Sequence, residues 1–527
     1  MAHLELNPDR VLPSDPTVRP LARQIYASVK DLPIISPHGH VPAQWLADDE
    51  PFGDPTSLLL TPDHYVNRLL HASGVSLADL GVGQSTFTPE QARAAFRHLC
   101  THWTVFRGTP VRFWFESELA EIFGIDLMPS ADTADEIYDA IAAQLVTPAF
   151  RPRALYDRFG IEFIATTDDP CDDLASHAKL AADPTWTGTV APTFRPDKYL
   201  EPAAAGWNDL IDRLGEVSGV DTGSYAGWLA AMENRRAFFK ANGAVSTDHS
   251  HRDARIEPID DAEADRLYAL ARAGRISAAE ADTLRRNFMF AQARMAADDG
   301  LVMTLHPAVY RNHHTPTFDT YGADVGCDIP MAVEYTNALQ PVLAAFGTSP
   351  GFHLVPFTID ETVYSRELAP LAGFYPSVFV GVPWWFIDAP EAMARFRGAI
   401  TETAGFTRTS GFIDDTRAYL SIPARHDLSR RVDSGYLAKL VGEHRLTLDE
   451  ALEAAHELVV GNPKRAFKLW CSRPSTAPPG YPRPSACRAG PRTTSTSAGC
   501  CRAFASGNCP TSGCCVWPTP KRAPSSG

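Results

Sequence analysis

Two histidines one residue apart close the apolar run Leu32-Pro-Ile-Ile-Ser-Pro-His-Gly-His40, and this spacing is the first chemistry the chain offers. On a strand, residues i and i+2 share a face, so His38 and His40 can aim two imidazoles at one point. Imidazole pairs of this kind hold divalent metals, but the motif alone is unselective: His249-Ser-His251 repeats it. A metal reading therefore needs a third ligand. Asp415, in Gly411-Phe-Ile-Asp-Asp-Thr-Arg417, is the candidate, because a last strand lies beside the first once a barrel closes. The competing reading is that Asp414 or Asp415 only caps the helix that follows.

Three arginines, Arg195, Arg311 and Arg417, end or follow apolar runs. A guanidinium there matches a carboxylate on a substrate, or pairs with neighbouring aspartates. Asp63-His64-Tyr65 offers a proton-transfer pair or a surface loop; Trp384-Trp385 offers a face for a sugar ring or rim packing. His306, Arg311, His313 and His314 form a cluster too polar for packing. Gly347-Thr-Ser-Pro-Gly351 fits the nucleophile-elbow pattern but precedes a strand, so it reads as a turn. No P-loop, zincin or dinucleotide fingerprint is present.

These residues must be positioned by the elements around them. Eight apolar or β-branched runs stand out: Pro33 to His40, Ile161 to Asp168, Thr189 to Arg195, Ala244 to Asp248, Leu301 to His306, Phe352 to Ile359, Ser377 to Trp385 and Gly411 to Asp415. Segments of helical period lie between most of them, for example Ile276 to Phe290 and Pro89 to Leu99. Strands alternating with helices predict an α/β fold, a (β/α)8 TIM-type barrel, and most runs end in a residue capable of chemistry: His38 and His40, Asp168, Arg195, Asp248, His306, Asp415. The uneven gaps predict helical insertions over about 50–155, 200–240 and 255–298 within one barrel spanning 1–469.

Composition sets the outer bounds. With 44% hydrophobic and 21% charged residues the chain can bury a large core, and no run reaches the ~18 apolar residues of a membrane span. No leader segment is visible, so the expected address is the cytoplasm. A net charge of −15 argues against nucleic acid as the partner, while local arginines can still hold a small anion. Ten of the 48 basic residues, but none of the 63 acidic ones, lie beyond Glu457, and seven of the ten cysteines fall between Cys471 and Cys515. From about Trp470 the chain is Pro, Arg, Ser, Cys and Gly, a composition that cannot bury a core. We read 470–527 as a low-complexity tail produced by translation in a shifted frame, with a disordered interaction segment or a Cys-rich module as alternatives.

The chain resembles the uronate (glucuronate) isomerases of the amidohydrolase superfamily over roughly residues 5–469. The likeness rests on His38-Gly-His40, Asp63-His64-Tyr65, Phe194-Arg-Pro-Asp-Lys198, Ser246-Thr-Asp-His249, Leu305-His306, Arg311-Asn312, Pro383-Trp-Trp385, Asp415-Thr-Arg417 and Gly461-Asn-Pro-Lys-Arg-Ala-Phe467. It implies interconversion of D-glucuronate with D-fructuronate and of D-galacturonate with D-tagaturonate, through ring opening and C2-to-C1 proton transfer. It implies one divalent ion, zinc by expectation, on His38, His40 and Asp415. Tyr65, Asp415, His64 and Asp248 become catalytic candidates, with an arginine lowering the Tyr65 pKa; Arg195, His306, Arg311, Trp384 and Arg417 become substrate contacts. A homo-oligomer, a small-molecule substrate and no nucleic-acid or membrane partner complete the expectation. The further histidine and bridging ligands of binuclear hydrolases cannot be placed, which leaves His306 as a substrate contact. A mononuclear hydrolase of a carboxylated substrate and a non-catalytic sugar-acid-binding protein are the alternatives.

Overall fold

β-Branched residues seed the strands: Ile34 and Ile35 in β1 (Ile34–Ser36), Ile161 and Ile164 in β2 (Ile161–Ala165), Val190 in β3 (Val190–Ala191). Further along come β4 (Ser246–His249), β5 (Val302–Leu305), β6 (Val309–Tyr310), β7 (Ile329–Pro330) and β8 (Leu354–Pro356). The computed structural model describes residues 3–84 and 87–469; the sequence tail from 470 onward lies outside the described residues.

Two parallel sheets, β1-β2-β3 and β4-β5-β8, carry the pattern. They are joined where Phe194 N–H donates to Ser246 O at 3.2 Å and Asp248 N–H donates to Phe194 O at 3.0 Å. Beyond β8, Val378 pairs in parallel with Leu354, and Val380 with Thr409. The ring closes where His40 N–H donates to Thr416 O at 3.1 Å. The result is the eight-position parallel barrel, a (β/α)8 fold.

The seventh and eighth positions are single bridges rather than full strands, and the eighth pairs at Thr409, earlier than Gly411 to Asp415. The cause is local. Gly411 turns the chain at φ +73° against Pro463, whose Cδ would lie 2.2 Å from any Cβ there, so only glycine fits the turn and the ladder stops before it. β6 and β7 form a small antiparallel pair outside the barrel, framing the loop that carries Arg311 and Asp328.

Helices start where their caps predict. Thr88 and Gln91 form a capping box for Pro89–Thr101, and Ser277 and Glu280 one for Ala278–Asp299, which runs nine residues past Phe290. Helices between β1 and β2 pack Phe96, Trp103, Trp114, Ile137 and Ile141 with Ile34, Ile161 and Ile164 in one apolar cluster, so they extend the barrel's own core. Gly347 to Gly351 is a turn, as read. Among the described residues no helix is long and apolar enough to cross a membrane.

One cost is buried in this insertion. Glu118, 5% exposed, has its carboxyl pushed up to about 8 by burial and by the nearby Asp63, against a smaller opposing effect of Arg425. Folded Glu118 then stays protonated where the unfolded carboxyl, near 4.5, has ionised. The folded state therefore binds the extra proton, and stability falls as pH rises from about 4.5 to about 8. Glu118→Gln removes that dependence: it should stabilise the protein at pH 8 by on the order of 4 kcal/mol and hardly at all at pH 5. Thermal melting of both proteins at the two pH values measures this, and an equal shift at both would refute the assignment.

Candidate active site

β1 and the turn after Thr409 bring the two histidines and Asp415 together across the barrel seam. Asp415 Oδ1 lies 2.9 Å from His40 Nε2 and 3.3 Å from His38 Nε2. Asp415 has φ +41°, a left-handed conformation that a non-glycine residue holds only when its surroundings over-determine it. Neighbouring Asp414 points elsewhere, accepting from His426 Nε2 at 3.1 Å, so neither aspartate caps a helix. Burial works against the charge on Asp415, but His38 and His40 outweigh it and hold the carboxyl well below its usual range.

A third imidazole joins from β5. His38, His306 and Asp415 each offer a ligand atom within 4.8 Å of the others, and the His38 and His306 rings stack at 4.7 Å. His306 Nδ1 donates to Asp248 Oδ1 at 2.6 Å, which leaves Nε2, buried and without a hydrogen-bond partner, as a lone pair. Carboxylate, imidazole and an outward lone pair are the arrangement that orients a histidine toward a metal. His38 is raised above its ordinary value, Asp248 and Asp415 outweighing burial, so the cluster attracts positive charge. These donors fit a divalent ion. His40 touches Asp415 but stands outside the tight triad.

Beside this cluster is a cavity of about 250 Å³, just below the ~300 Å³ at which drug-sized pockets begin. Its walls include His40, His64, Tyr65, Arg195, Arg311 and Arg417, with Trp384, Trp385, Asp324 and Asp415. Asp248 and His306 do not line it. They lie behind the wall at 1% and 2% exposure, so His306 is placed with the metal-capable donors rather than against a ligand. Asp168, His313 and His314 also stand apart from the cavity.

The arginines are held by a chain of carboxylates. Arg195 pairs with Asp197 at 2.9 Å and Asp248 at 3.4 Å, and Arg417 with Asp324 at 2.7 Å. Arg311 reaches Asp328 at 3.2 Å, Asp324 at 3.6 Å and Ser250 Oγ at 3.0 Å, its guanidinium over the Trp385 ring at 4.8 Å. Asp324 and Trp385 have φ of +62° and +51°, so three cavity residues, with Asp415, are held in left-handed backbone.

His64 and Tyr65 begin the helix His64–Ala72 rather than a loop, because Asp63 caps it by accepting from Tyr65 N and Val66 N. Their rings lie 4.9 Å apart. Burial, then Arg417, pulls His64 down to about 3, so it is neutral near pH 7. An arginine does face Tyr65: Arg425, fully buried and paired with Asp388 at 2.7 Å, lies 4.8 Å from the ring centroid. It does not lower the Tyr65 pKa below its ordinary value, because burial dominates and the phenol is raised above 10.

Asp324, Asp328, Asp388 and Arg425 were absent from the sequence reading. The only sequence cue for Arg425 is the polar run Arg425-His-Asp in a helix, Ile422–Gly442, whose buried residues include Arg425, His426, Arg430 and Arg431.

A family model described as glucuronate isomerase matches residues 17–467. A uronate isomerase of Cutibacterium acnes is 58% identical over 466 residues, 88% of this chain and 99% of that protein. The crystal structure of glucuronate isomerase from Caulobacter crescentus superposes with a TM-score of 0.87 at 46% identity, covering 90% of this chain and 98% of that one. The uronate isomerase structure from Thermotoga maritima gives 0.82 at 27% identity, covering 88% and 100%.

The raised Tyr65 phenol is directly measurable. The 295 nm phenolate absorbance of the protein, after subtracting that of Tyr65→Phe, should show no step between pH 7 and 10, where exposed tyrosines begin to ionise. A step within that window would mean that Arg425 outweighs burial.

Proposed function

The chain belongs to the glucuronate isomerase family and is a uronate isomerase, and from that premise we propose which residues do the work and on what. The observation that carries the reading is the cavity, where His40, Asp415 and three arginines meet a neutral imidazole and a protonated phenol. The substrates on this reading are D-glucuronate and D-galacturonate, converted to D-fructuronate and D-tagaturonate.

Aldose to ketose conversion opens the ring, takes a proton from C2 and delivers one to C1, so no net proton is consumed. Asp415, an ionised carboxylate, accepts the anomeric hydroxyl proton as the ring opens. His64 and Tyr65, side by side, serve as acceptor and donor for the C2 and C1 protons. Arg195 lies on the Asp248 side and Arg417 two residues from Asp415, so both face the reacting end, where their charge opposes that of an enediolate. Arg311, preoriented by Ser250 and Trp385 and linked to Arg417 only through the shared Asp324, takes the C6 carboxylate at the other end of the six-carbon chain. Trp384, at the cavity wall, packs against the sugar. Asp248 acts through the residues it holds, His306 and Arg195.

A zinc ion on His38, His40 and Asp415, with His306 beside them, would supply Lewis-acid polarisation of the sugar oxygens. The mixed imidazole and carboxylate set suits zinc. The reading includes a cytoplasmic address, in keeping with Cys100, Cys171 and Cys327, which form no disulfide, and self-association of the chain.

Proton NMR of the protein with D-glucuronate in deuterated buffer tests the chemistry. The 2-keto acid should appear with deuterium at C1, and Tyr65→Phe and Asp415→Asn should each slow it by about 10²-fold or more. Full activity in Asp415→Asn would remove that residue from the reaction. Arg311→Met should raise KM for D-glucuronate about 10- to 100-fold while changing kcat less, as the loss of a charged hydrogen bond predicts. A fall in kcat at unchanged KM would move the carboxylate anchor elsewhere.

A further inference from the structure

The second H-x-H of the chain, at the end of β4, is built into a cluster that the isomerase chemistry does not use. His249 and His251 are 1% and 5% exposed, and with Asp197 they offer three ligand atoms within 4.8 Å of one another. His251 Nδ1 meets Glu201 Oε1 at 2.7 Å, so that carboxylate fixes the proton on Nδ1 and leaves Nε2 as a lone pair. That lone pair faces Asp197 Oδ1 at 3.4 Å without an aligned hydrogen bond. His249 Nε2 meets Thr247 Oγ1 at 3.2 Å, and its Nδ1 is buried without a partner. Two imidazole nitrogens and a carboxylate oxygen thus converge, and the tautomer of His249 whose Nε2–H donates to Thr247 Oγ1 leaves its Nδ1 as a lone pair.

Asp197 can serve a cation without releasing its neighbours. Arg195 Nε occupies Oδ2 at 2.9 Å, and the Ser250 amide takes one lone pair of Oδ1 at 3.0 Å, which leaves another free. Asp197 and Glu201 have 20% and 42% of their side chains exposed, so an ion has a way in.

We propose that Asp197, His249 and His251 form a second divalent-cation site, of zinc-type donor chemistry, with Glu201 orienting His251. Its place is structural: it ties the turn after Phe194 to the end of β4 and so steadies Arg195 through Asp197.

The test uses the full chain with the first site disabled. His38→Asn/His40→Asn protein is loaded with zinc chloride, freed of excess on a chelating resin and measured for bound metal. The same protein with His249→Gln and His251→Gln added should hold one equivalent less. Equal zinc in the two proteins overturns the site. Circular dichroism and melting report whether the added changes leave the fold intact. Should they not, zinc X-ray absorption of the His38→Asn/His40→Asn protein decides. A shell with two imidazole nitrogens at about 2.0–2.1 Å supports the site. A shell of sulfur alone, or with a single imidazole from His306, rejects it.

Discussion

A carboxylate shared by two imidazoles at the barrel seam governs the rest of this structure. Asp415 carries a full charge in a largely enclosed position at the cavity wall, and such a charge persists only when opposed by partners close at hand. His38 and His40 come from the first strand position, and Asp415 from the last. The left-handed backbone at Asp415 belongs to the same constraint: an extended residue would continue the ladder from Thr409 instead of turning its carboxylate toward the histidines.

Charge then passes outward in ordered steps. On one side His306 rests on Asp248, Asp248 on Arg195 and Arg195 on Asp197. On the other, Arg417 rests on Asp324, which also faces Arg311, and Arg311 on Asp328. Each guanidinium is fixed before any ligand arrives, so little ordering is left for binding to supply. Tyr65 is preset in another way: Trp114, edge-on at 5.5 Å, and Arg425 enclose a phenol that burial keeps protonated.

The barrel was legible because strand periodicity and strand-end polar residues coincide, most clearly at His38 and His40, Asp248, and His306. Six of the eight expected runs contain named strands; the seventh contributes only the bridges at Val378 and Val380, and the eighth lies just past its bridge at Thr409, because Gly411 breaks the line. The cavity-lining arginines were readable for the same reason, as charges at the ends of apolar runs. The partners of those arginines were not. Asp324 lies in a loop framed by β6 and β7 with no periodic signal, and Arg425 lies on a helix whose buried face is itself charged. His306 was visible as a residue but not in its place, because stacking on His38 depends on two strands that approach only in the closed fold. The family match ends at 467, close to where the composition changes near Trp470.

The hydrogen bond from His40 to Thr416 closes the ring between the residues that hold Asp415. Its two ends lie 376 positions apart in the chain. On a ribosome, the donor set is therefore assembled only after nearly all of the described barrel has emerged. A stalled or cleaved chain lacking the last turns would carry His38 and His40 as an ordinary pair of strand-end imidazoles. Assembly of the donor set and closure of the ring are one event in this protein, so occupancy of that set would report synthesis through the closing turn.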